Sequence, residues 1–285
     1  MAQQRLNGRA WQQSPLYGAR RLDFSTCLPA LKLPQFLCIG AQKAGTSSLQ
    51  DWLLQHPQVY LPPGKELHYF SLHHNRGLAW YGDQFAAARP DQRCGDITPY
   101  YLFHPLAAER IAAELGPVKV IVLLRDPVER CLSGLFHSIR LGLEPLPPAA
   151  ALAAEAERLA GAEDALRRGG PPHHSHQVHS YLARSRYEQQ LPRYEALFGA
   201  DQLLILRSEE LFGEPQRIWP RLLAFLGLEV AAPPQALPRS NAGGGEAAGV
   251  DPALRASLRE ALAPTYRQMA ERYGLRWQAQ PPPLG

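Results

Sequence analysis

Several features are scarce in this sequence of 285 residues. No apolar run approaches the roughly 18 to 20 residues that span a bilayer, and residues 1–30 contain no compact apolar stretch ahead of a small-residue cleavage site. The four cysteines are scattered, without the close pair typical of a zinc site or a redox dithiol. These absences predict a cytoplasmic protein with reduced thiols, no transmembrane segment and no bound metal.

Lysine is scarce as well. Only Lys32, Lys43, Lys65 and Lys119 contribute to the 30 basic residues, and arginine supplies the rest. The formal net charge of +4 is modest and there is no dense basic stripe, so nucleic acid is not an expected partner. Because lysine is rare here, Lys43 and Lys65 draw attention where they fall inside the motifs described below.

Short apolar runs alternate with helical patterns along the chain. The runs typical of buried parallel strands are 35–40, 118–124 and 202–206. This alternation predicts an α/β fold with a central parallel sheet flanked by helices. We expect a single domain over 34–277, preceded by an N-terminal arm, 1–33, and followed by a short C-terminal tail, 278–285.

Two helix predictions are specific enough to test. Asp126, Pro127 and Glu129 follow the second strand and provide an N-cap acid, a proline at the first helical position and a capping-box glutamate. Near the end of the chain, apolar periodicity predicts one helix from Pro252 to Tyr273.

The segment between the first strand and its helix has the composition of an anion-binding loop. It reads GAQKAGTSS over 40–48, so glycines permit a tight turn, backbone N–H groups can point inward and the helix start adds positive potential. A Walker A loop would have lysine directly after its second glycine, but Thr46 stands there and the lysine is Lys43. A turn that merely connects two elements remains an alternative at this point.

The longer segment IGAQKAGTSSL, residues 39–49, resembles the 5'-phosphosulfate loop of sulfotransferases that use 3'-phosphoadenosine-5'-phosphosulfate (PAPS), particularly their glycan-modifying and bacterial members. The resemblance implies a fold like that of the P-loop NTPases, PAPS as the donor and 3'-phosphoadenosine-5'-phosphate (PAP) as the product. It also implies that Lys43 contacts the oxygen that leaves with the nucleotide. The residues it implies around the 5'-phosphate and sulfate are Lys43, Ala44, Gly45, Thr46, Ser47 and Ser48.

A second anion site is expected after the next strand. VIVLLRDPVERCLS, residues 120–133, places Arg125 at the strand end and Ser133 on the following helix, where a forked donor and a hydroxyl can converge on one anion. The segment resembles the 3'-phosphate motif of the same family. Alternatively, Arg125 pairs with Glu129 and Ser133 is an ordinary helix residue.

A base for the reaction is expected between the two motifs. Transfer to a hydroxyl requires a carboxylate or imidazole to take the acceptor proton. KELHYF, residues 65–70, and GLAWY, residues 77–81, resemble segments of glycosaminoglycan 3-O- and N-sulfotransferases, which implies Glu66 as the catalytic base with His68 in support. A solvated surface carboxylate is the alternative for Glu66.

Other features are less decisive. Ile97 stands where the family often has lysine, and the resemblance implies further nucleotide contacts from Tyr187 and Arg239. Four histidines between His173 and His179 would suit either a metal or an exposed loop or helix start that is rich in histidine. Some aromatic residues would suit either sugar stacking or core packing: Trp80, Tyr81, Tyr100 and Tyr101.

Together these observations predict in-line transfer of a sulfuryl group from PAPS to a hydroxyl or amine of a glycan or a small hydroxylated acceptor. Glu66, His68 and Lys43 are the expected catalytic residues. Two other functions remain open: a P-loop phosphotransferase that uses ATP, and a nucleotide-binding module without catalysis. The sequence leaves both the acceptor and the oligomeric state undecided.

Overall fold

The computed structural model describes residues 31–234 and 246–277. The predicted arm and tail lie outside these ranges except for 31–33, so the domain boundaries stay a prediction. Within the described residues the expected α/β architecture is present. In this part of the chain no helix is both long and apolar enough to cross a membrane.

The centre of the fold is a parallel sheet. Its strands are β1 (Phe36–Gly40), β2 (Val59–Tyr60), β3 (Arg93–Ile97), β4 (Lys119–Leu124) and β5 (Leu203–Arg207). They lie in the order β2-β3-β1-β4-β5. The three apolar runs form β1, β4 and β5, as predicted, whereas β2 and β3 were not predicted because neither has a continuous apolar run.

Strand β1 occupies the middle of the sheet, and all its residues are buried. Phe36 lies opposite Gly95 of β3 on one side and opposite Lys119 of β4 on the other. Gly95 leaves room for the Phe36 ring, since a Cβ there would lie 2.1 Å from Cζ of Phe36. After β1 the chain passes to β2 and β3 on one side and later returns to β4 on the other. Such a switch opens a crevice at the carboxyl ends of the strands, where α/β proteins bind ligands.

Helices pack on both faces of the sheet. In the described ranges they are α1 (Thr46–Leu53), α2 (Gly77–Asp83), α3 (Ala107–Leu115), α4 (Pro127–Arg140), α5 (Pro148–Leu159), α6 (Ala162–Arg167), α7 (His174–Val178), α8 (Tyr187–Glu195), α9 (Ser208–Gly213), α10 (Pro215–Leu226), α11 (Pro252–Ala261) and α12 (Ala263–Tyr273). The largest hydrophobic cluster surrounds the sheet. A smaller cluster joins α4, α5 and α11 through residues such as Leu132, Ala151 and Leu258.

The start of α4 matches its prediction only in part. Asp126 is the N-cap, and its Oδ1 accepts from the N–H groups of Val128 at 3.0 Å and Glu129 at 3.1 Å. The capping-box prediction for Glu129 is wrong, because Glu129 pairs with Arg255 while Glu209 accepts from the Asp126 N–H at 2.9 Å. Glu209 lies on α9, which reaches this point through the pairing of β5 with β4.

The single helix predicted from Pro252 to Tyr273 is also wrong. It is divided into α11 and α12 at Leu262, whose φ of −101° and ψ of 5° are not helical. Pro264 lies in the first turn of α12, where its missing N–H costs nothing, whereas its ring would clash inside a continuous helix. Leu262 is fully buried in the smaller cluster, so packing favours the break.

Candidate active site

The loop between β1 and α1 is held tightly at the carboxyl edge of the sheet. The Ala41 N–H donates to the Leu123 carbonyl of β4 at 2.6 Å. Gly45 has φ of 91°, and a Cβ there would lie 2.4 Å from Cε2 of Phe212, so both the turn and the close packing require glycine. The first turn of α1 therefore begins directly from this loop, with N–H groups that have no partner inside the helix.

Hydroxyl groups and a second lysine complete the loop. Thr46 and Ser48 are buried, whereas Ser47 is partly exposed and its Oγ accepts from Lys65 Nζ at 2.5 Å. No role was predicted for Lys65. Lysine is rare in this sequence, which could have singled Lys65 out, and the structure brings its charge to the loop 40–48.

Positive charge is concentrated around Lys43. Burial, followed by the positive charges of Arg140, Arg125 and Lys65, lowers the pKa of Lys43 to about 8. Crowding of like charges is unfavourable in the free protein, and a multiply charged anion relieves it. The donor set at this edge therefore fits a phosphate or sulfate ester.

Arg125 and Ser133 lie at the neighbouring strand, as expected. Arg125 Nη1 donates to the Lys43 carbonyl at 3.3 Å, so the two predicted phosphate sites adjoin. Ser133 is buried on α4. Arg125 Nη2 also lies 3.8 Å from Glu129 Oε2, so the alternative ion pair is present as a long contact. Since Glu129 also pairs with Arg255, Arg125 is not its sole partner.

Tyr187, which was predicted to contact the nucleotide, contacts the protein backbone at Arg125. Tyr187 is fully buried, and its hydroxyl donates to the Arg125 carbonyl at 2.8 Å. It therefore holds the backbone at Arg125, in the predicted 3'-phosphate site. Arg239 lies outside the described residues.

Glu66 and His68 lie together across from the loop. His68 Nε2 is 3.3 Å from Glu66 Oε2, and Lys65 Nζ is 3.9 Å from Glu66 Oε1. Burial raises the pKa of Glu66, but the His68 hydrogen bond and the Lys65 charge outweigh it, so the pKa lies below its ordinary value. Glu66 is therefore ionised at neutral pH, the state that a proton acceptor needs.

The backbone is left-handed at Lys43, Glu66 and His68. In the described chain, the non-glycine residues with positive φ are Lys43 at 70°, Glu66 at 64° and His68 at 55°. Such conformations cost about 1 to 3 kcal/mol each and concentrate at functional sites. The three residues predicted to be catalytic are thus the three that carry this strain.

Buried polar groups hold His68 in place. Its Nδ1 lies 3.1 Å from Ser71 Oγ. The backbone N–H of His68 donates to Thr98 Oγ1 at 3.5 Å, and Thr98 Oγ1 in turn donates to Asp96 Oδ1 at 2.8 Å. Burial raises the pKa of Asp96, whose Oδ2 also accepts from the Tyr101 hydroxyl at 2.8 Å. These contacts connect Glu66, through His68, to the end of β3.

A cavity of about 170 Å³ lies between Glu66 and the loop 40–48. Glu66 and His68 line it together with Gln42, Tyr100 and Arg184. Arg184 Nη1 donates to Gln42 Oε1 at 3.0 Å, and its guanidinium lies 4.8 Å from the centre of the Tyr100 ring. Arg184 and Gln42 were not predicted to line a cavity, because no local sequence pattern distinguishes them.

Most of the aromatic residues in question are buried, and the histidine cluster lies beside the cavity. Tyr81, Tyr100 and Tyr101 are buried, with Tyr100 also facing the cavity, whereas Trp80 is half-buried and lies under Arg76. The histidine cluster forms α7 and its ends. His173 Nδ1 accepts from the His176 N–H at 3.2 Å, and His176 Nδ1 lies 2.7 Å from the Tyr100 hydroxyl. These histidines therefore support the cavity wall.

Comparison with known families agrees with this geometry. Residues 33–237 match the model of the sulfotransferase domain. The chain belongs to the sulfotransferase family. The family resemblance read from loop 40–48 is thereby confirmed.

Relatives of this sulfotransferase differ in length and setting. The membrane-associated sulfotransferase kil1 of Dictyostelium discoideum is 38% identical over 123 residues, covering 41% of this chain and 26% of the relative. The human heparan sulfate glucosamine 3-O-sulfotransferase 3B1 is 31% identical over 198 residues, covering 70% of this chain and 47% of the relative. The chain thus spans less than half the length of these two curated relatives.

Solved structures confirm the P-loop-like sulfotransferase fold. A sulfotransferase from Alicyclobacillus acidocaldarius superposes with a TM-score of 0.69 at 28% identity, covering 87% of this chain and 98% of that one. Mouse sulfotransferase SULT7A1, solved as a complex with PAP, superposes with a TM-score of 0.52 at 14% identity, covering 82% and 85%. At this identity the second likeness shows the fold alone.

The expectation of a cytoplasmic location is overturned by these relatives. The Dictyostelium protein is a membrane-associated sulfotransferase, and it is identical to this chain at 38% of the matched residues. Scattered cysteines and the lack of a long apolar run describe a catalytic domain, and they do not report the compartment in which that domain works.

Proposed function

We propose that this sulfotransferase transfers a sulfuryl group from PAPS to a hydroxyl or amine of a glycan or another hydroxylated acceptor by in-line displacement. The observation that carries the proposal is that Gln42 of loop 40–48 and Glu66 line one cavity. A donor held by the loop and a hydroxyl beside Glu66 would meet there. The human relative is a heparan sulfate glucosamine 3-O-sulfotransferase, and this supports a glycan hydroxyl as acceptor.

The chain's own residues have distinct roles in this mechanism. PAPS, when bound, supplies the activated sulfuryl group. Protonated Lys43 stabilises negative charge on the oxygen that departs with the nucleotide, while loop N–H groups and the hydroxyls of Thr46, Ser47 and Ser48 hold the neighbouring phosphate. Arg125 and Ser133 bind the 3'-phosphate, with Tyr187 supporting Arg125 from behind.

Glu66 accepts the proton of the attacking hydroxyl. His68 holds Glu66 Oε2, and Lys65 lies near the other carboxylate oxygen, so the carboxylate is oriented from both ends. Arg184 fixes Gln42 at the boundary between the loop and the cavity. The site thereby brings the acceptor oxygen and the donor loop together, which is worth several orders of magnitude in rate.

The test measures transfer of labelled sulfate from PAPS to a panel of polysaccharides, glycolipids and small alcohols. Glu66→Gln should lower kcat by about 10² to 10⁴, the range for general-base catalysis, while 3',5'-ADP, which is PAP, binds with unchanged affinity. Glu157→Gln, at an exposed glutamate of α5, is the matched control and should retain wild-type turnover.

Each rival function has its own outcome. Wild-type turnover by purified Glu66→Gln would exclude Glu66 as the base. Calorimetry that showed tighter binding of ATP than of 3',5'-ADP would favour a phosphotransferase. Tight binding of 3',5'-ADP without transfer to any acceptor would favour a nucleotide-binding module that lacks catalysis.

A further inference from the structure

Part of the wall of the reactive cavity is apolar. Leu141 and Leu143 line it and are 58% and 40% exposed, and Val178 and Pro99 line it as well. Among the described residues six large hydrophobic side chains are exposed, and two of the six meet at this cavity. Single exposed leucines need no explanation, but a pair at the mouth of a reactive site indicates a contact surface.

The two leucines are displayed on a rigid turn. Gly142 between them has φ of 69°, and the Leu143 N–H donates to the Ser138 carbonyl at 2.9 Å. Directly after the turn, the buried Glu144 accepts from Arg158 at 2.6 and 3.1 Å. The leucines are therefore held toward solvent by a fixed backbone, which makes a preorganised apolar surface.

The lysines near this cavity, Lys43 and Lys65, belong to the predicted donor site, where Lys65 contacts Ser47 and lies near Glu66. Among the described residues that line the cavity, Arg184 is the one arginine or lysine. Its guanidinium is already committed, because it donates to Ser180 Oγ at 2.8 Å, to Gln42 Oε1 at 3.0 Å and to the Gln177 carbonyl at 2.6 Å. Little donor capacity remains there for a sulfate or carboxylate beside the reacting hydroxyl.

We propose that the acceptor carries an apolar alkyl or aryl group close to the hydroxyl that is sulfated, and that Leu141 and Leu143 bind this group. The occupant is an amphiphilic alcohol such as an alkyl or aryl glycoside. This inference rests on the proposed function, because Glu66, which lines the same cavity, determines which hydroxyl reacts. We expect a sulfated polymer such as heparan sulfate to be a poorer acceptor than an amphiphilic alcohol.

The test compares methyl and octyl β-glycosides of glucose, galactose and mannose, each pair sharing its sugar hydroxyls. Octyl glycosides are kept below the concentration at which they form micelles. With 3',5'-ADP present, calorimetry measures the dissociation constant of each glycoside, and transfer from PAPS gives kcat/KM. Because burial of one or two methylene groups is worth about tenfold, the octyl member should exceed the methyl member at least about tenfold in both measurements.

Variants assign that preference to the turn. Leu141→Ser with Leu143→Ser should reduce the octyl-to-methyl ratio to about threefold or less, without changing the affinity for 3',5'-ADP. The double variant Leu54→Ser with Leu197→Ser alters leucines that are 49% and 44% exposed elsewhere, and it should keep the wild-type ratio.

The outcomes separate this inference from the proposed function. Equal constants for methyl and octyl glycosides, or a preference that survives the change at both cavity leucines, would overturn the inference while transfer itself stands. The same holds if heparan sulfate is sulfated with a higher kcat/KM than every octyl glycoside. Absence of transfer to all these acceptors would overturn the proposed function and the inference together.

Discussion

Raising the pH through 8 tests the role of the Lys43 charge. Burial and the nearby positive charges of Arg140 and Arg125 lower the pKa of Lys43 to about 8 in the free protein. The proposed mechanism needs the protonated amine. Activity that depends on Lys43 should therefore be present below this pKa and be lost as the pH rises above it.

The size of the effect follows from the pKa. With a pKa of about 8, about nine-tenths of Lys43 amines are protonated at pH 7 and about one-tenth at pH 9. We expect kcat/KM for PAPS to fall about tenfold over this range. A lysine with an ordinary pKa near 10.4 would lose less than about a tenth of its charge by pH 9. Phosphate groups do not contribute to the change, since their second pKa is near 6.

The assay is kcat/KM for PAPS at an acceptor concentration well below saturation, because this ratio then reports ionisations of the free enzyme. Lys43→Arg is the matched control: its lower absolute rate reflects the different shape of the guanidinium, but its pH profile should be flat because arginine stays charged. A wild-type profile that is flat to pH 9 would refute the reasoning. A Lys43→Arg profile that falls in parallel with wild type would assign the titration to another group.

Two further predictions concern the nucleotide site. Arg125→Ala should weaken 3',5'-ADP binding by about 10- to 150-fold, the loss of a hydrogen-bonded charge, yet leave the affinity for 5'-AMP nearly unchanged. Calorimetry with both nucleotides checks this, and equal losses would show that Arg125 does not bind the 3'-phosphate. Gly45→Ala should lower the thermal midpoint more than Gly274→Ala, because both glycines are in the left-handed region but only the Cβ at position 45 would overlap Phe212. Similar midpoints measured by calorimetric scanning would contradict that close packing.

Local chemistry explains why much of the fold was predictable. Apolar runs at 35–40, 118–124 and 202–206 became β1, β4 and β5, because a strand buried on both faces needs continuous apolar residues. Strand β3 was missed because it contains Asp96. That carboxylate is tolerated in the core only because Tyr81, Thr98 and Tyr101 donate to it across several elements.

The two loops predicted to bind phosphate could be located from the sequence, since each lies within one strand-to-helix junction. The N-cap Asp126 acts within its own helix and was predicted correctly. Glu209 reaches the same N-terminus from a distant part of the chain, so the capping-box assignment to Glu129 failed. Arg184 and Leu143 were missed for the same reason, because residues with no shared local pattern form the cavity wall.

Residues close together in the chain were enough to predict the α/β class and the family, and they predict two anion-binding junctions. The folded chain was needed to bring Glu66 into one cavity with Gln42 of loop 40–48, Lys65 to Ser47 and the apolar turn at Leu141 and Leu143 to the same cavity as Glu66. Sheet order and helix packing create those contacts between distant segments. We therefore expect loop 40–48 to select the anion and the neighbouring cavity to select the acceptor.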